Sequence, residues 1–211
     1  MQEYLLQTPV ASLIFVITII TSIMAFYNES LIANLILHPY SVARKERVYT
    51  VITSGLIHGD WMHLAFNMFS YYFFAFNLEK AMGHWQFGLL YLASLILSDL
   101  PTIQKNKDDY CYRCLCASGA VSAVIFGYIL YNPASTMMIL PIPFPIPSII
   151  FGPLYLIYCH FASKHARDHV NHDAHLYGAL SGLIITIILH PPVVHDFIIG
   201  VNEVVRYYLH S

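Results

Sequence analysis

The sequence predicts an all-α membrane protein, one bundle of about six spans with a folded loop after the first. Three observations lead there. Hydrophobic residues make up 57% of the 211 and charged residues 10%, far below the roughly 25% charge of soluble domains, and the mean hydropathy is +0.59. Apolar runs recur at close to the length, about 20 residues, that crosses the hydrocarbon of a bilayer. Serine, histidine and asparagine fall inside those runs, where polar and ionisable groups are functional candidates. The length leaves room for a single domain over 1–211 and no soluble module. A formal charge of −2 gives no electrostatic reason to expect nucleic acid.

The first span is expected over 9–27, an almost uncharged run closed by Asn28-Glu29-Ser30. Glu3 and the lack of a basic cluster before it read as a retained span rather than a cleaved leader. Leu31–Pro39 and Tyr49–Leu56 are moderately apolar but divided by Arg44-Lys45-Glu46-Arg47, which suits an interfacial segment or a loop folded against the bundle. The second span is expected over 58–78, ending at Glu79-Lys80, and Gly83 leads into a short third span over 84–98. Polar residues then read as a loop to 112, and the fourth span as 115–131, stopped by Asn132-Pro133. The alternating prolines of Leu140–Pro147 exclude helix interior and predict a stiff, extended stretch. Pro147 opens the fifth span, 147–161; a histidine-rich loop follows, and the sixth span is expected over 174–189, before Pro191-Pro192. The tail, 193–211, is open between an interfacial helix, a cytoplasmic tail and the start of a seventh span.

The polar residues within the spans converge. Ser118 stands in the first turn of span four, where unpaired backbone N–H groups and the positive end of the helix dipole stabilise an oxyanion. Gly119, Ala123 and Gly127 recur every fourth residue and leave that helix a flank for close approach. His63 and Asn67 share a face of span two, with His58 a turn above, and span six begins with His175 and carries Gly178 and Gly182. Alternation of spans brings all of these near one membrane face. His175 is then the candidate general base for Ser118. No acidic residue stands at a comparable position, so the pair is a dyad, with the Ser118 N–H, Asn67 and His58 or His63 as oxyanion donors. The competing reading is ordinary interhelical hydrogen bonding and small-residue packing.

Cys111, Cys114, Cys116 and Cys159 read as buried thiols, with a redox-sensitive Cys111–Cys114 pair as the alternative. His160, His165, His169 and His172 read as solvated loop residues, although His169 with Asn171-His172-Asp173 is a conceivable weak metal site. Neither His-Glu-x-x-His nor regular Cys/His spacing is present, so no metal and no cofactor are expected.

Over about residues 44–186 the chain resembles the rhomboid intramembrane serine proteases. The resemblance rests on His58-x4-His63-x3-Asn67, Ser118-Gly119, Ala174-His175-x2-Gly178-x3-Gly182 and the Pro-Phe-Pro-Ile-Pro lead-in to span five. It implies a six-helix bundle with Ser118 as nucleophile and His175 as base. It also implies His63 and Asn67 beside the oxyanion, and His58 and Gly119 at a water-accessible cavity. Residues 37–56 become a membrane-embedded loop, and the partner becomes a transmembrane protein substrate admitted from the lipid bilayer. The setting implied is a bacterial inner (cell) membrane, with the N-terminus in the cytoplasm. The charge pattern points the other way: Lys80 and Arg206 lie on the side of the N-terminus, against Arg44, Lys45, Arg47, Lys105, Lys107, Arg113, Lys164 and Arg167 opposite.

Three departures from the family pattern stand out. Cys116 replaces a glycine two residues before the nucleophile. Ser122 stands where an aromatic ring usually stacks on the histidine, so either the ring comes from elsewhere, with Tyr177 a candidate, or His175 is less well held, and Val48-Tyr49 replaces a Trp-Arg pair. The reading is an intramembrane serine endopeptidase; the alternative is a catalytically silent scaffold that binds transmembrane clients.

Overall fold

The computed structural model describes residues 6–115, 117–139, 142–166 and 170–210. Cys116, Arg167 and His169, and the Leu140-Pro141 start of the proline stretch, lie outside the described residues. The rest is mostly helical. Helix α1 spans Pro9–Phe26; α2 (Glu29–Leu35), α3 (Pro39–Ala43), α4 (Thr50–Thr53) and a 3-10 turn (Ser54–Leu56) build the first loop. Then come α5 (Trp61–Met82), α6 (His84–Asn106), α7 (Ala117–Tyr131), a hairpin of β1 (Thr136–Ile139) and β2 (Ile142–Pro147), α8 (Ser148–His165), α9 (His172–Leu189) and α10 (Val193–His210).

Among the described residues, α1, α6 and α9 are long and apolar enough to cross a membrane, and α7 is a shorter apolar helix. α7 is the centre of the bundle, packed against α5, α6 and α9, with most of its residues buried. Leu64, Met68, Tyr71, Leu90, Leu95, Val121 and Val124 fill the core between α5, α6 and α7. Large apolar side chains point outward instead on α1 (Leu13, Val16, Ile20), α5 (Phe66, Phe69, Phe73) and α9 (Ile184, Ile188). Such a belt needs an apolar solvent around it.

Several helices begin or end away from the positions that their polar residues indicate. α5 starts at Trp61 and not at 58, because the Asp60 carboxylate accepts from the His63 N–H at 2.8 Å and caps the helix. Nor does it stop at Glu79-Lys80. Glu79 is fully buried, and its carboxylate accepts from the backbone N–H groups of Val10 (3.2 Å) and Ala11 (2.6 Å) in the first turn of α1. A side chain of α5 thus caps the positive end of α1, while His84 holds the same carboxylate at 2.7 Å.

α6 runs to Asn106, eight residues past the expected 98, since Ser98, Asp99 and Thr102 face inward. Their polarity serves helix packing and not a loop. α9 starts at His172, capped by the Asn171 side chain, which accepts from the Ala174 N–H. The proline stretch pairs as a strand, with Met137 opposite Ile146 and Thr136 opposite Pro147. Pro143, Pro145 and Pro147 fall at alternate positions of β2, which keeps their missing N–H groups on one edge of the strand, while the register shifts between Met137 and Ile139. The tail is the helix α10, whose Ile198, Ile199 and Val205 are exposed.

Replacing Glu79 with alanine leaves the Val10 and Ala11 N–H groups buried without an acceptor, a loss of about 1–3 kcal/mol. Thermal unfolding in detergent is expected to move down for Glu79→Ala and less for Glu79→Gln; an unchanged midpoint for Glu79→Ala contradicts the capping role.

Candidate active site

The start of α7 is tied down by the first loop. Leu37 and Cys114 exchange backbone hydrogen bonds of 3.1 and 3.2 Å, and buried His38 donates from Nε2 to the Tyr110 carbonyl (3.0 Å) while Nδ1 pairs with Ser41 Oγ (2.9 Å). Arg44 reaches the carbonyls of Tyr40 and Lys107 at 3.0 and 2.9 Å. Arg47 donates to the carbonyls of Ala33 and Asn34. Residues 107–114, ahead of α7, are therefore stitched to residues 37–44.

The start of α9 is clamped in turn by α6. Thr102 Oγ1 and the Asn171 amide exchange hydrogen bonds of 3.2 and 2.9 Å, and Lys105 pairs with Asp173 at 3.2 Å.

Between these clamps the backbones of α7 and α9 touch. A Cβ added to Gly178 would meet the Gly119 carbonyl, with the carbonyl carbon 2.8 Å and Cα 2.9 Å away. One added to Gly182 would lie 2.5 Å from Ala123 Cα, and one added to Gly119 would lie 2.7 Å from Ser98 Cβ and 3.2 Å from the Ala174 carbonyl oxygen. At Gly127 the neighbours are Thr186 Oγ1 (2.9 Å) and Leu78 Cδ2 (3.0 Å). Contacts advance together along both helices, so the two run parallel. Ser118 precedes Gly119, and His175 follows Ala174 and precedes Gly178 by less than one turn. Both stand at the same end of a helix pair with no other helix between them, and both side chains are partly exposed.

The His175 ring stacks on Tyr155 of α8, with centroids 6.5 Å apart and planes inclined by 18°. It also meets the His172 ring edge-on at 6.0 Å. The Tyr155 hydroxyl lies 3.1 Å from Ser122 Oγ. Tyr177, the sequence candidate for the stacking ring, is 44% exposed, and the ring comes from Tyr155 instead. Tyr155 escaped the sequence reading because its position opposite Ser122 is set by packing between two helices, which no spacing within one helix reports.

His58, His63 and Asn67 form the third part of the site. His58 is fully buried. Its Nε2 accepts from the Asn67 amide at 3.0 Å, so the ring proton sits on Nδ1, which donates to Ser22 Oγ at 2.9 Å. The Ser22 hydroxyl donates onward to the Leu56 carbonyl at 3.1 Å. Both ring nitrogens of His58 are hydrogen-bonded inside the protein, to Ser22 and to Asn67. The His63 ring packs edge-on against His58 at 4.9 Å and is partly exposed. Asn67 keeps a second amide hydrogen for another acceptor. A Cβ on Gly59 would meet Leu115 at 3.2 Å, which sets this group beside the residues leading into Ser118.

An acidic residue does stand in the bundle near this layer: Asp99, fully buried, next to the Ser98 that packs on Gly119. Ending the third span at 98 hid it. Cys111, Cys114 and Cys159 are thiols and not disulfides. Among the described residues no three His, Cys, Asp or Glu side chains converge in a way that could hold a metal.

The Rhomboid domain model matches residues 45–192, more than half of the chain. The chain belongs to the rhomboid family. Over 83 residues it is 35% identical to "Putative rhomboid protease YdcA" of Bacillus subtilis, covering 39% of this chain and 40% of that protein. Over 168 residues it is 25% identical to "RHOMBOID-like protein 12, mitochondrial" of Arabidopsis thaliana, covering 72% of this chain and 50% of that protein. The match spans half or less of the length of these curated relatives. Rhomboids are generally serine intramembrane proteases acting on transmembrane substrates, and the apolar helices of this chain are those of an integral membrane protein.

Ser22→Ala removes the acceptor of the His58 Nδ1 proton in a buried site, at about 1–3 kcal/mol. Thermal unfolding is expected to reveal that loss; an unchanged midpoint contradicts the Ser22–His58 hydrogen bond.

Proposed function

We propose that this rhomboid is an intramembrane serine endopeptidase in which Ser118 is the nucleophile and His175 its general base. The observation that carries the reading is the backbone contact of α7 and α9, which runs from Gly119 to Ala174 and Gly178, one to three residues from the two groups. Ser118 Oγ attacks the scissile carbonyl carbon as its proton passes to the His175 imidazole. The carbonyl oxygen becomes an oxyanion, facing the unpaired N–H groups at the start of α7, that of Ser118 among them. The second amide hydrogen of Asn67 and the His63 ring are its side-chain donors, and the His58–Ser22–Leu56 chain holds the Asn67 amide in one orientation. The tetrahedral intermediate expels the amine, which takes the proton from His175 and leaves an ester on Ser118. Water attacks that ester with the same base and restores the serine. Partial exposure of both side chains supports access for that water.

The substrate in this reading is a transmembrane segment of another protein, admitted from the bilayer and cleaved near small residues. The orientation follows the family, with the N-terminus cytoplasmic and the site on the outer side. Arg44, Arg47, Lys105 and Arg113 are engaged with loop carbonyls or with Asp173, which supports counting them as folded-loop residues and not as free topology signals.

Turnover of a fluorescent reporter transmembrane segment in proteoliposomes tests the assignment. Ser118→Ala and His175→Ala are expected to abolish cleavage without lowering thermal stability, and Asn67→Ala to lower kcat by about 100-fold. Undiminished turnover by Ser118→Ala removes the endopeptidase reading and leaves a bundle that only binds its clients.

A further inference from the structure

The stacking of Tyr155 on His175 gives the proposed base a support that the helix of the nucleophile does not supply. One turn after Ser118, α7 carries Ser122, a buried side chain with no ring to stack on the imidazole. Tyr155 enters from α8 and fills that place. Its ring lies nearly parallel to His175, it stacks also on Phe151 at 5.5 Å, and Phe126 of α7 packs against it at 5.7 Å. Its hydroxyl is held by Ser122 Oγ at 3.1 Å. The ring is half-buried and in contact with rings from two helices, and offset stacking at this separation favours one plane for its neighbour. The rest of α8 is loosely held, with only Ser148, Gly152 and Cys159 buried.

We propose that Tyr155 is a positioning residue for His175 and that Ser122 is the latch that keeps it there, the pair replacing a ring carried on α7 itself. The inference rests on the reading of His175 as the base. It makes the orientation of the base depend on α8 staying docked against α7 and α9.

The test moves the ring from one helix to the other. Kinetics on the reporter segment are compared for wild type, Tyr155→Leu, Ser122→Phe and the double variant Tyr155→Leu/Ser122→Phe, each with a thermal unfolding midpoint. Misplacing a catalytic group by about 1 Å costs on the order of 100-fold in rate, so Tyr155→Leu is expected to lose about that factor in kcat, with KM changed less than about twofold. In the double variant the phenyl ring occupies the space vacated by Tyr155, and at least a tenfold recovery over Tyr155→Leu is expected. Retention of wild-type kcat by Tyr155→Leu overturns the proposal, and so does a loss that the double variant fails to recover at an unchanged unfolding midpoint. Should Tyr155→Leu not fold, Tyr155→Phe and Ser122→Ala decide: both remove the Tyr155–Ser122 hydrogen bond, Tyr155→Phe also removing the contact of the hydroxyl with the Cys159 thiol, so Ser122→Ala is expected to add no further loss in kcat to Tyr155→Phe, and additive losses overturn the latch. Cleavage persisting in His175→Ala instead removes the underlying assignment of the base and leaves the stacking without a catalytic meaning.

Discussion

At the crossing of α7 and α9 there is no room for a side chain at Gly119, Gly178 or Gly182, and the rest of the site is arranged around that crossing. In an apolar solvent the hydrophobic effect gives helices no reason to associate, so close van der Waals contact and a few polar groups must hold them. Direct backbone contact maximises the first. It also fixes rotation and register: a parallel pair meeting at Gly119 and Gly178 has Ser118 and His175 at the same end, whatever the loops do. The first loop and α6 then only need to stop the two helix ends from fraying. Leu37 does so for α7 through Cys114, and Thr102 does so for α9 through Asn171.

Polar groups buried in such a bundle are costly unless satisfied, and the chain satisfies them by borrowing between distant segments. Glu79 of α5 completes the first turn of α1. Ser22 of α1 completes His58, and His58 completes Asn67 of α5. The Glu79 and Ser22 contacts join residues more than thirty positions apart in sequence, whereas His58 and Asn67 lie nine apart. The site thereby becomes rigid without a large polar interior, and preorganised donors are what an oxyanion needs.

Much of this was legible in the sequence. The order of apolar runs, the fourfold spacing of Gly119, Ala123 and Gly127, and the histidine and asparagine spacing of span two all reflect a single helix surface, which a linear pattern records well. Helix ends were less legible: polar residues at Glu79 and at 98–106 look like exits from the hydrocarbon, yet they turn inward to serve other helices. Asp99 was missed for that reason. Tyr155 was missed for another, since its role depends on a gap left by Ser122 on a neighbouring helix. The burial of His58 was not legible either, because its partner Ser22 lies on α1, a helix with no feature that singles it out.

The most direct test of the account is the site and base dependence of covalent capture by a fluorophosphonate, read by peptide mass spectrometry on the membrane-reconstituted protein. The account predicts a single adduct on Ser118 in the wild type and none in a His175→Ala protein of normal stability. An adduct formed equally without His175, or borne by a different hydroxyl, contradicts the claim that the α7–α9 crossing brings a nucleophile and its base together.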